Sequence, residues 1–223
     1  MNLTAAEDFS NYVEKQIAPS VEDIKKLDDK SRKHVQKLIY TNLVDRFDVM
    51  VDLLILENCR SDFVIEAISP SLTETVNEAY LLQLLMNADT VQDAIDERLR
   101  NAIRNSILRK RHSRKLHFLL KLFDCLEYTT KKPQVQPGNG NVIQSAKQTK
   151  VNVPHSVCGY ADWLYARRNA VVHGAGSSYY LKNDKIQLQK LYDYKCPETF
   201  KLKIGAVTSS IKFYSCIVGI LNS

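Results

Sequence analysis

The sequence predicts an all-α protein, an up-and-down bundle of about five or six helices with a long inserted loop and a small β-hairpin. Residues 1–128 contain no glycine and only two prolines, Pro19 and Pro70. Such a stretch, rich in Leu, Ala, Lys, Glu and Asp, favours helix. The second observation is a helical spacing of apolar residues in several segments. The length of 223 residues suits one domain, so we expect a single helical domain over residues 1–223.

Three segments show this helical spacing, and each predicts an amphipathic helix. In residues 38–56 the apolar side chains recur every three or four positions: Ile39, Leu43, Phe47, Met50 and Leu54. The pattern recurs later in the chain at two sets of residues: Leu116, Leu119, Phe123 and Leu126, then Ile204, Val207, Ile211, Tyr214, Val218 and Leu221. Residues three and four apart share one face of an α-helix, so each set is expected to face the core.

Start signals and breakers divide the chain further. Thr4, Ser71 and Thr90 each precede an acidic residue by three positions (Glu7, Glu74 and Asp93), a spacing typical of a capping box at a helix start. Residues 131–154 are polar and contain Pro and Gly, which predicts a long loop of the kind that is often functional or disordered. The short alternating runs around Lys182-Asn183-Asp184 predict the small hairpin.

Composition narrows the class of protein. The net charge of +6 is compatible with a polyanionic partner without requiring one. The five cysteines are scattered, and the first residues lack the apolar segment of a secretory signal, so we expect reduced thiols and a cytoplasmic protein. No uninterrupted apolar run reaches the roughly 18 residues that span a bilayer, so we expect no membrane contact.

A basic cluster lies in residues 109–115, and it contains five permanent cations: Arg109, Lys110, Arg111, Arg114 and Lys115. One interpretation is that these side chains contact RNA phosphates. The other is a solvent-exposed corner between two helices, where cations are favoured at the carboxyl end of the preceding helix.

An acidic stripe is formed by Asp45, Asp48 and Asp52, which share a second face of the helix predicted over residues 38–56. It could hold a metal or orient a catalytic base, but such a stripe is more often a solvated face. No His or Glu lies four residues away to complete a metal site, and His155-x-x-Cys158 has too few ligands for zinc. We therefore expect a solvated face and neither a metal nor a cofactor.

The sequence lacks the phosphate-binding glycine loops and the nucleophile elbow of several large enzyme classes. The remaining candidate is residues 167–174, RRNAVVHG. A helix beginning near residue 158 places Asn169 and His173 on one face, with Arg168 about 140° away from His173. Gly174 is expected to end this helix in the left-handed conformation. Such a His titrates near neutral pH and Arg binds phosphate, which is the pair that RNA cleavage without a metal requires.

This string resembles the signature of the HEPN superfamily, an Arg followed after four to six residues by a His, usually with Asn next to the Arg. The closest resemblance is to the RiboL-PSP-type bacterial groups, in which a long helix like residues 38–56 carries an acid near its middle. The resemblance covers residues 30–222, and its specific part is RNAVVHG. It implies that Arg168 and His173 are catalytic, that Asn169 supports them, and that Asp45 or Asp48 is a supporting acid.

The resemblance also implies an activity. HEPN ribonucleases form homodimers, use no metal, and cut RNA by attack of the 2′-OH on the adjacent phosphate, which leaves a 2′,3′-cyclic phosphate. Such enzymes act in toxin–antitoxin or phage-defence systems, with an antitoxin or a sensor protein as a partner. Two alternatives stay open: a non-catalytic HEPN-like module that binds RNA or a protein, and a helical scaffold in which RNAVVHG only ends a helix.

Overall fold

The computed structural model describes residues 1–72, 78–87, 91–147, 153–174 and 178–223. Within these ranges the chain is mostly α-helical with one two-stranded antiparallel sheet, which confirms the predicted fold class. The helices are α1 (Thr4–Tyr12), α2 (Ala18–Asp23), α3 (Asp29–Glu57), α4 (Asp62–Ile68), α5 (Glu78–Asn87), α6 (Val91–Ser106), α7 (His112–Leu122), α8 (Val157–His173), α9 (Lys182–Tyr192) and α10 (Ile204–Leu221). They outnumber the predicted five or six because several are short.

Helix α3 is the centre of the fold, since α1, α7, α8 and α10 all pack against it. The side chain of Asp28 caps its start by accepting hydrogen bonds from the amides of Lys30 and Ser31. All five apolar residues that the spacing assigned to its core face are buried: Ile39, Leu43, Phe47, Met50 and Leu54. Phe47 stacks on Tyr214 of α10 with ring centroids 4.0 Å apart, and Phe9 of α1 meets both rings edge-on.

A second apolar cluster lies beside this main core, between α8, α9 and the segment that leads to α10. It consists of Ala166, Ala170, Val171, Tyr180, Leu188, Tyr194 and Phe200. The first half of α8 packs in the main core, and its second half packs in this cluster. Trp163 contacts both groups, so α8 joins them.

The segment predicted as a long loop is more ordered than expected. Within it, β1 (Val135–Gln136) pairs with β2 (Asn141–Val142), and the turn between them packs on α10. Gly140 has φ +78°, and a Cβ there would overlap the backbone carbonyl of Ser209, so the close approach requires glycine. Residues 148–152 of the predicted loop lie outside the described residues.

The hairpin predicted around Lys182-Asn183-Asp184 is wrong, because these residues form the first turn of α9. The sequence Ile186-Gln187-Leu188-Gln189 alternates apolar and polar residues as a strand does. In α9, however, Leu188 is buried in the second cluster and Ile186 is exposed, whereas a strand would place both on one face. The β-structure found near this segment is one isolated bridge between Tyr179 and Thr199.

Of the three predicted capping boxes, the one at Thr4 lies within the described residues, and Thr4 is not the helix cap. Thr4 is the first residue of α1 instead of its cap, because the side chain of Asn2 accepts hydrogen bonds from the amide and the hydroxyl of Thr4. Residues Glu74 and Thr90 lie outside the described parts of the chain, so the two other predicted capping boxes do too.

Helix α10 is apolar enough to cross a membrane by length and composition alone, with a mean hydropathy of 1.6 over Ile204–Leu221. One face of this helix is buried against α1 and α3, and Phe213, Tyr214 and Ile217 on that face are fully enclosed. All five cysteines are free thiols in this structure.

Candidate functional site

The helix that carries the RNAVVHG string is α8, and it begins where the sequence predicted. Its N-cap is Ser156, whose hydroxyl oxygen accepts a hydrogen bond from the amide of Gly159. At the other end the amide of Gly174 donates to the carbonyl of Ala170 at 3.0 Å, which continues the helical pattern. Gly174 has φ −91°, so the predicted left-handed termination is wrong.

Arg168 lies between α8 and α3 in an ion pair with Asp45. The Nε of Arg168 is 2.6 Å from Oδ1 of Asp45, and the side chains are 18% and 41% exposed. The Nη1 of Arg168 donates a hydrogen bond of 3.2 Å to Oδ1 of Asn169. The guanidinium also lies 5.7 Å from the ring centroid of Tyr165, one turn earlier on α8. The structure therefore brings three of the predicted site residues together: Arg168, Asn169 and Asp45.

Asn169 continues the chain of contacts to α9. Its Nδ2 donates a hydrogen bond of 3.1 Å to Oδ2 of Asp184. Burial raises the pKa of Asp184, and the hydrogen bond from Asn169 offsets part of that effect. Sequence reasoning missed Asp184, because it lay in the segment predicted as a hairpin. A helical interpretation of residues 182–192 could have placed it beside α8.

His173 is the last residue of α8, and its side chain is exposed. No hydrogen bond or ion pair joins it to Arg168 or to another described residue. Its charge acts on Asp184, however, where it lowers the pKa of that carboxyl. Within one chain the structure thus leaves the two predicted catalytic residues separate, as the helical angle of about 140° between them requires.

The rest of the acidic stripe is paired internally with α7. Oδ1 of Asp48 lies 2.6 Å from Nδ1 of His112 and 2.9 Å from Nζ of Lys115, which also reaches Asp52 at 2.6 Å. The side chains of His112 and Lys115 are 1% and 6% exposed. The expectation of a solvated face is therefore wrong for Asp48 and Asp52, because α7 packs its first turn directly on them.

These contacts shift the pKa values of Asp48, Asp52 and Lys115. Burial alone raises the pKa of Asp48, but the hydrogen bond and charge of His112, together with Lys115, outweigh it and lower the pKa to about 2. Burial raises the pKa of Asp52 despite the hydrogen bond from Lys115. The pKa of Lys115 is raised, since the two carboxylates outweigh the opposing effect of burial. Charged Lys115 therefore holds α7 on α3.

The basic cluster is divided between the interior and the surface. Arg111 donates from Nε to Oδ2 of Asp162 at 2.9 Å, and Lys115 is buried on the acidic stripe. Both are in internal ion pairs, so their predicted contact with RNA phosphates does not fit this arrangement. Arg109, Lys110 and Arg114 are exposed and form no ion pair with the described residues.

Asp162 is the fully buried partner that holds α7, α8 and α9 together. Its carboxylate accepts hydrogen bonds from Nε of Arg111, the amide of Ser113 and the hydroxyl of Tyr192. Three donors from two neighbouring helices compensate for burying the charge. Nothing in the sequence distinguished Asp162 from the other acids.

His112 and Tyr165 connect the acidic stripe to the Arg168 pair. Their rings stack with centroids 4.9 Å apart and planes 4° from parallel. The Nε2 of His112 is buried and has no hydrogen-bond partner in the described part of the chain. With Nδ1 on Asp48 and the ring on Tyr165, His112 is held rigidly beneath the surface.

Arg167, the neighbour of Arg168, is held inside the protein by two aromatic rings and a backbone carbonyl. Its guanidinium lies over the rings of Trp163 and Phe200 at 4.6 and 4.8 Å, and Nη2 donates to the carbonyl of Lys201. This position agrees with the interpretation that Arg168, and not Arg167, belongs to the site.

The described part of the chain holds no candidate metal cluster at the Arg168 site. Within the described ranges, no group of three or more His, Cys, Asp or Glu side chains could hold a metal ion. A cavity of about 460 Å³ lies between the start of α8 and the end of α9, lined by Lys131, Ser156, Lys190 and Tyr192 among others. Arg168 and His173 are not among the residues that line this cavity.

No protein-family model, curated protein or solved structure matches this chain. The HEPN resemblance therefore rests on the RNAVVHG string and on the sequence pattern of the long helix that precedes it.

Asp48→Asn is expected to lower the free energy of unfolding at neutral pH. Folding lowers the pKa of Asp48 from 3.8 to about 2, a difference that corresponds to about 2 kcal/mol. Because folding lowers the pKa of Asp48, ionised Asp48 stabilises the folded state at every pH above 3.8, the pKa in the unfolded chain. This stabilisation is lost as the pH falls towards about 2, the pKa in the folded protein. Urea unfolding between about pH 7 and pH 2 should thus show a shallower acid loss in Asp48→Asn than in the wild type.

Asp8→Asn is the matched control, because Asp8 is exposed. Equal acid dependence in the wild type and in Asp48→Asn would contradict the contribution assigned to the Asp48 pairing.

Proposed function

We propose that this protein is a metal-independent endoribonuclease of the HEPN type that acts as a homodimer. The observation that carries the proposal is the fixed position of Arg168, held by Asp45 and Asn169 at the surface of the helix that ends in exposed His173. Arg168 and Asn169 thus have contacts that suit their proposed tasks, and Asp45, one of the two acids that the resemblance implies, lies beside Arg168.

The proposed reaction needs three groups at one RNA phosphate. A base removes the proton from the 2′-OH, the 2′-oxygen bonds to phosphorus, and the 5′-oxygen leaves and takes up a proton. His173 would serve as the base or the acid, since an exposed imidazole can exchange protons with solvent between turnovers. Arg168 would stabilise the charge that builds on the phosphoryl oxygens, and Asn169 would hold the guanidinium in register.

A dimer would bring these groups together. Arg168 and His173 do not meet within one chain, so two copies around one phosphate can supply what one copy lacks. Exposed apolar side chains flank the site by helical spacing: Val49 and Leu53 follow Asp45 on α3, and Val172 follows Arg168 on α8. Apolar residues grouped on a surface are typical of an interface between proteins.

The exposed cations of the basic cluster support RNA as the substrate. Arg109, Lys110 and Arg114 lie at the start of α7, next to Arg111 and His112, which contact α8 at Asp162 and Tyr165. Phosphate contacts at these three residues would position a strand near Arg168 without reading its sequence. The proposal extends to a toxin or phage-defence role, with an antitoxin or a sensor protein as a partner.

A second candidate is a non-catalytic HEPN-like module that binds RNA or a protein. The observation in its favour is the Asp45 pair, which already neutralises the charge of Arg168. Binding of RNA that stays intact on long incubation would distinguish it. The helical scaffold hypothesis would be favoured if Arg168 and His173 were both buried and paired inside the core. Arg168 is paired with Asp45 and is only 18% exposed, whereas His173 is exposed.

The purified protein is expected to cut RNA in EDTA, to leave 2′,3′-cyclic phosphate ends, and to spare DNA of the same sequence. His173→Ala should slow cleavage by about 10²–10⁴-fold through loss of the proton-transfer group, without unfolding the protein. His34→Ala is the control, because His34 is an exposed histidine of α3. Product ends identified by mass spectrometry test the chemistry, and an equally active His173→Ala variant would refute the assignment.

Val172→Glu is expected to convert the dimer into monomers and to abolish cleavage, because it places a charge in the apolar surface beside His173. Val172 is 44% exposed, so the substitution should leave the fold of the monomer intact. Leu126→Glu is the matched control, since Leu126 is 51% exposed and lies outside this surface. Light scattering gives the mass, and a wild type that cleaves RNA as a monomer would exclude the dimer.

Reversing the charge of Arg109, Lys110 and Arg114 to Glu is expected to weaken RNA binding and to flatten its salt dependence. Three lost phosphate contacts should change the slope of log affinity against log salt by about 2 for single-stranded RNA. Reversal of exposed Lys15, Lys30 and Lys33 is the control for net charge. Fluorescence anisotropy over a salt series measures both, and equal slopes in the two triple variants would exclude a specific docking surface.

A further inference from the structure

A chain of four polar side chains crosses three helices at the proposed site. It runs from Asp45 on α3 through Arg168 and Asn169 on α8 to Asp184 on α9, with successive separations of 2.6, 3.2 and 3.1 Å. Both ends are carboxylates, so the Arg168 guanidinium and the Asn169 amide are held between them. The Asp184 end has no counterpart in the RNAVVHG string.

We infer that Asp184 is a positioning residue of the Arg168 site that acts by fixing the amide orientation of Asn169. This inference rests on the proposed function, because it adds a residue to the site that this function assigns to Arg168. Asp184 would touch neither the RNA nor the reacting atoms.

The argument follows from the two ends of the Asn169 amide. An Asn amide has a carbonyl oxygen that accepts and an NH₂ group that donates, and a half-turn exchanges them. Oδ1 must face Arg168, since the guanidinium has only donors. The carboxylate of Asp184 has only acceptors when ionised and faces the NH₂ group at 3.1 Å. The reversed amide would set two donors against each other at Arg168 and two acceptors against each other at Asp184.

The position of Asp184 in its own helix favours the ionised carboxylate. Asp184 is the third residue of α9, in the first turn, where the free amides of a helix stabilise negative charge. Burial and the charge of Asp162 raise the pKa of Asp184, whereas the hydrogen bond from Asn169 and the charges of Arg111 and His173 lower it, and the net shift is upward. Asp184 therefore lies where one carboxylate interacts with Asn169 by a hydrogen bond and with His173 by charge.

A double-mutant cycle of Asp184→Ala and Asn169→Ala tests whether Asp184 acts through Asn169. Two quantities are measured: kcat and KM for cleavage of an RNA oligonucleotide, and affinity for the same sequence with 2′-O-methyl groups throughout, which removes every nucleophile. Asp184→Asn keeps an acceptor oxygen at this position, and exposed Glu198→Ala is the control for loss of an acid. Thermal unfolding of each variant separates a loss of fold from a loss of positioning.

Asp184→Ala is expected to lower kcat by about 10-fold with little change in KM. When Asn169→Ala is already present, Asp184→Ala is expected to lower kcat no further. A coupling of this size is typical of residues in contact. Asp184→Asn should recover most of the rate. Additive losses, or a wild-type rate in Asp184→Ala, would overturn the inference.

The two proposals fail in different ways. If the wild type binds RNA without cutting it, the proposed function fails. The affinity for the 2′-O-methyl RNA, measured for the same two single variants and the double variant, then tests whether Asp184 is a positioning residue. Coupled losses of affinity would retain Asp184 as a positioning residue of a binding site, and additive losses would remove it. If no RNA binds, both proposals are overturned.

Discussion

The constraint on which the rest of the structure depends is the neutralisation of the acidic stripe of α3. Its carboxylates meet cations from two helices: Lys115 of α7 contacts Asp48 and Asp52, and Arg168 of α8 contacts Asp45. Lys115 is only 6% exposed, so removing its carboxylate partners would leave a nearly buried charge uncompensated. The pairs therefore fix where α7 and α8 lie along α3, and the position of Arg168 follows from that register.

A second polar junction completes the frame of the site. Asp162 gathers donors from α7 and α9 while lying on α8, so the three helices are joined at a fully buried carboxylate. Asp184 is then carried on a helix whose start and end both contact α8, through Asn169 and through Asp162. Asn169 is thus linked through Asp184 and α9 to Asp162, a carboxylate that solvent does not reach.

Much of this arrangement was predictable from the sequence, and the exceptions have two physical causes. The apolar spacing of α3 and the start of α8 follow from local rules, and the RNAVVHG string singles out Arg168, Asn169 and His173 before any coordinates are known. Asp48, Lys115 and Asp162 look like surface charges in the sequence, because pairing across helices depends on packing that local patterns do not encode. Asp184 was missed for a different reason: a strand-like alternation over Ile186 and Leu188 concealed a helix.

The ion pair with Asp45 already gives the Arg168 guanidinium an anionic partner. A phosphate that bound at the proposed site would have to displace this carboxylate or share the guanidinium with it. A free phosphate ion would have one such contact and would compete poorly, whereas a polymer would gain further contacts elsewhere on the surface, which would raise its effective concentration at the site. Asp45 would thus act as a built-in competitor that makes the surface selective for long polyanions over the small phosphate compounds of the cell.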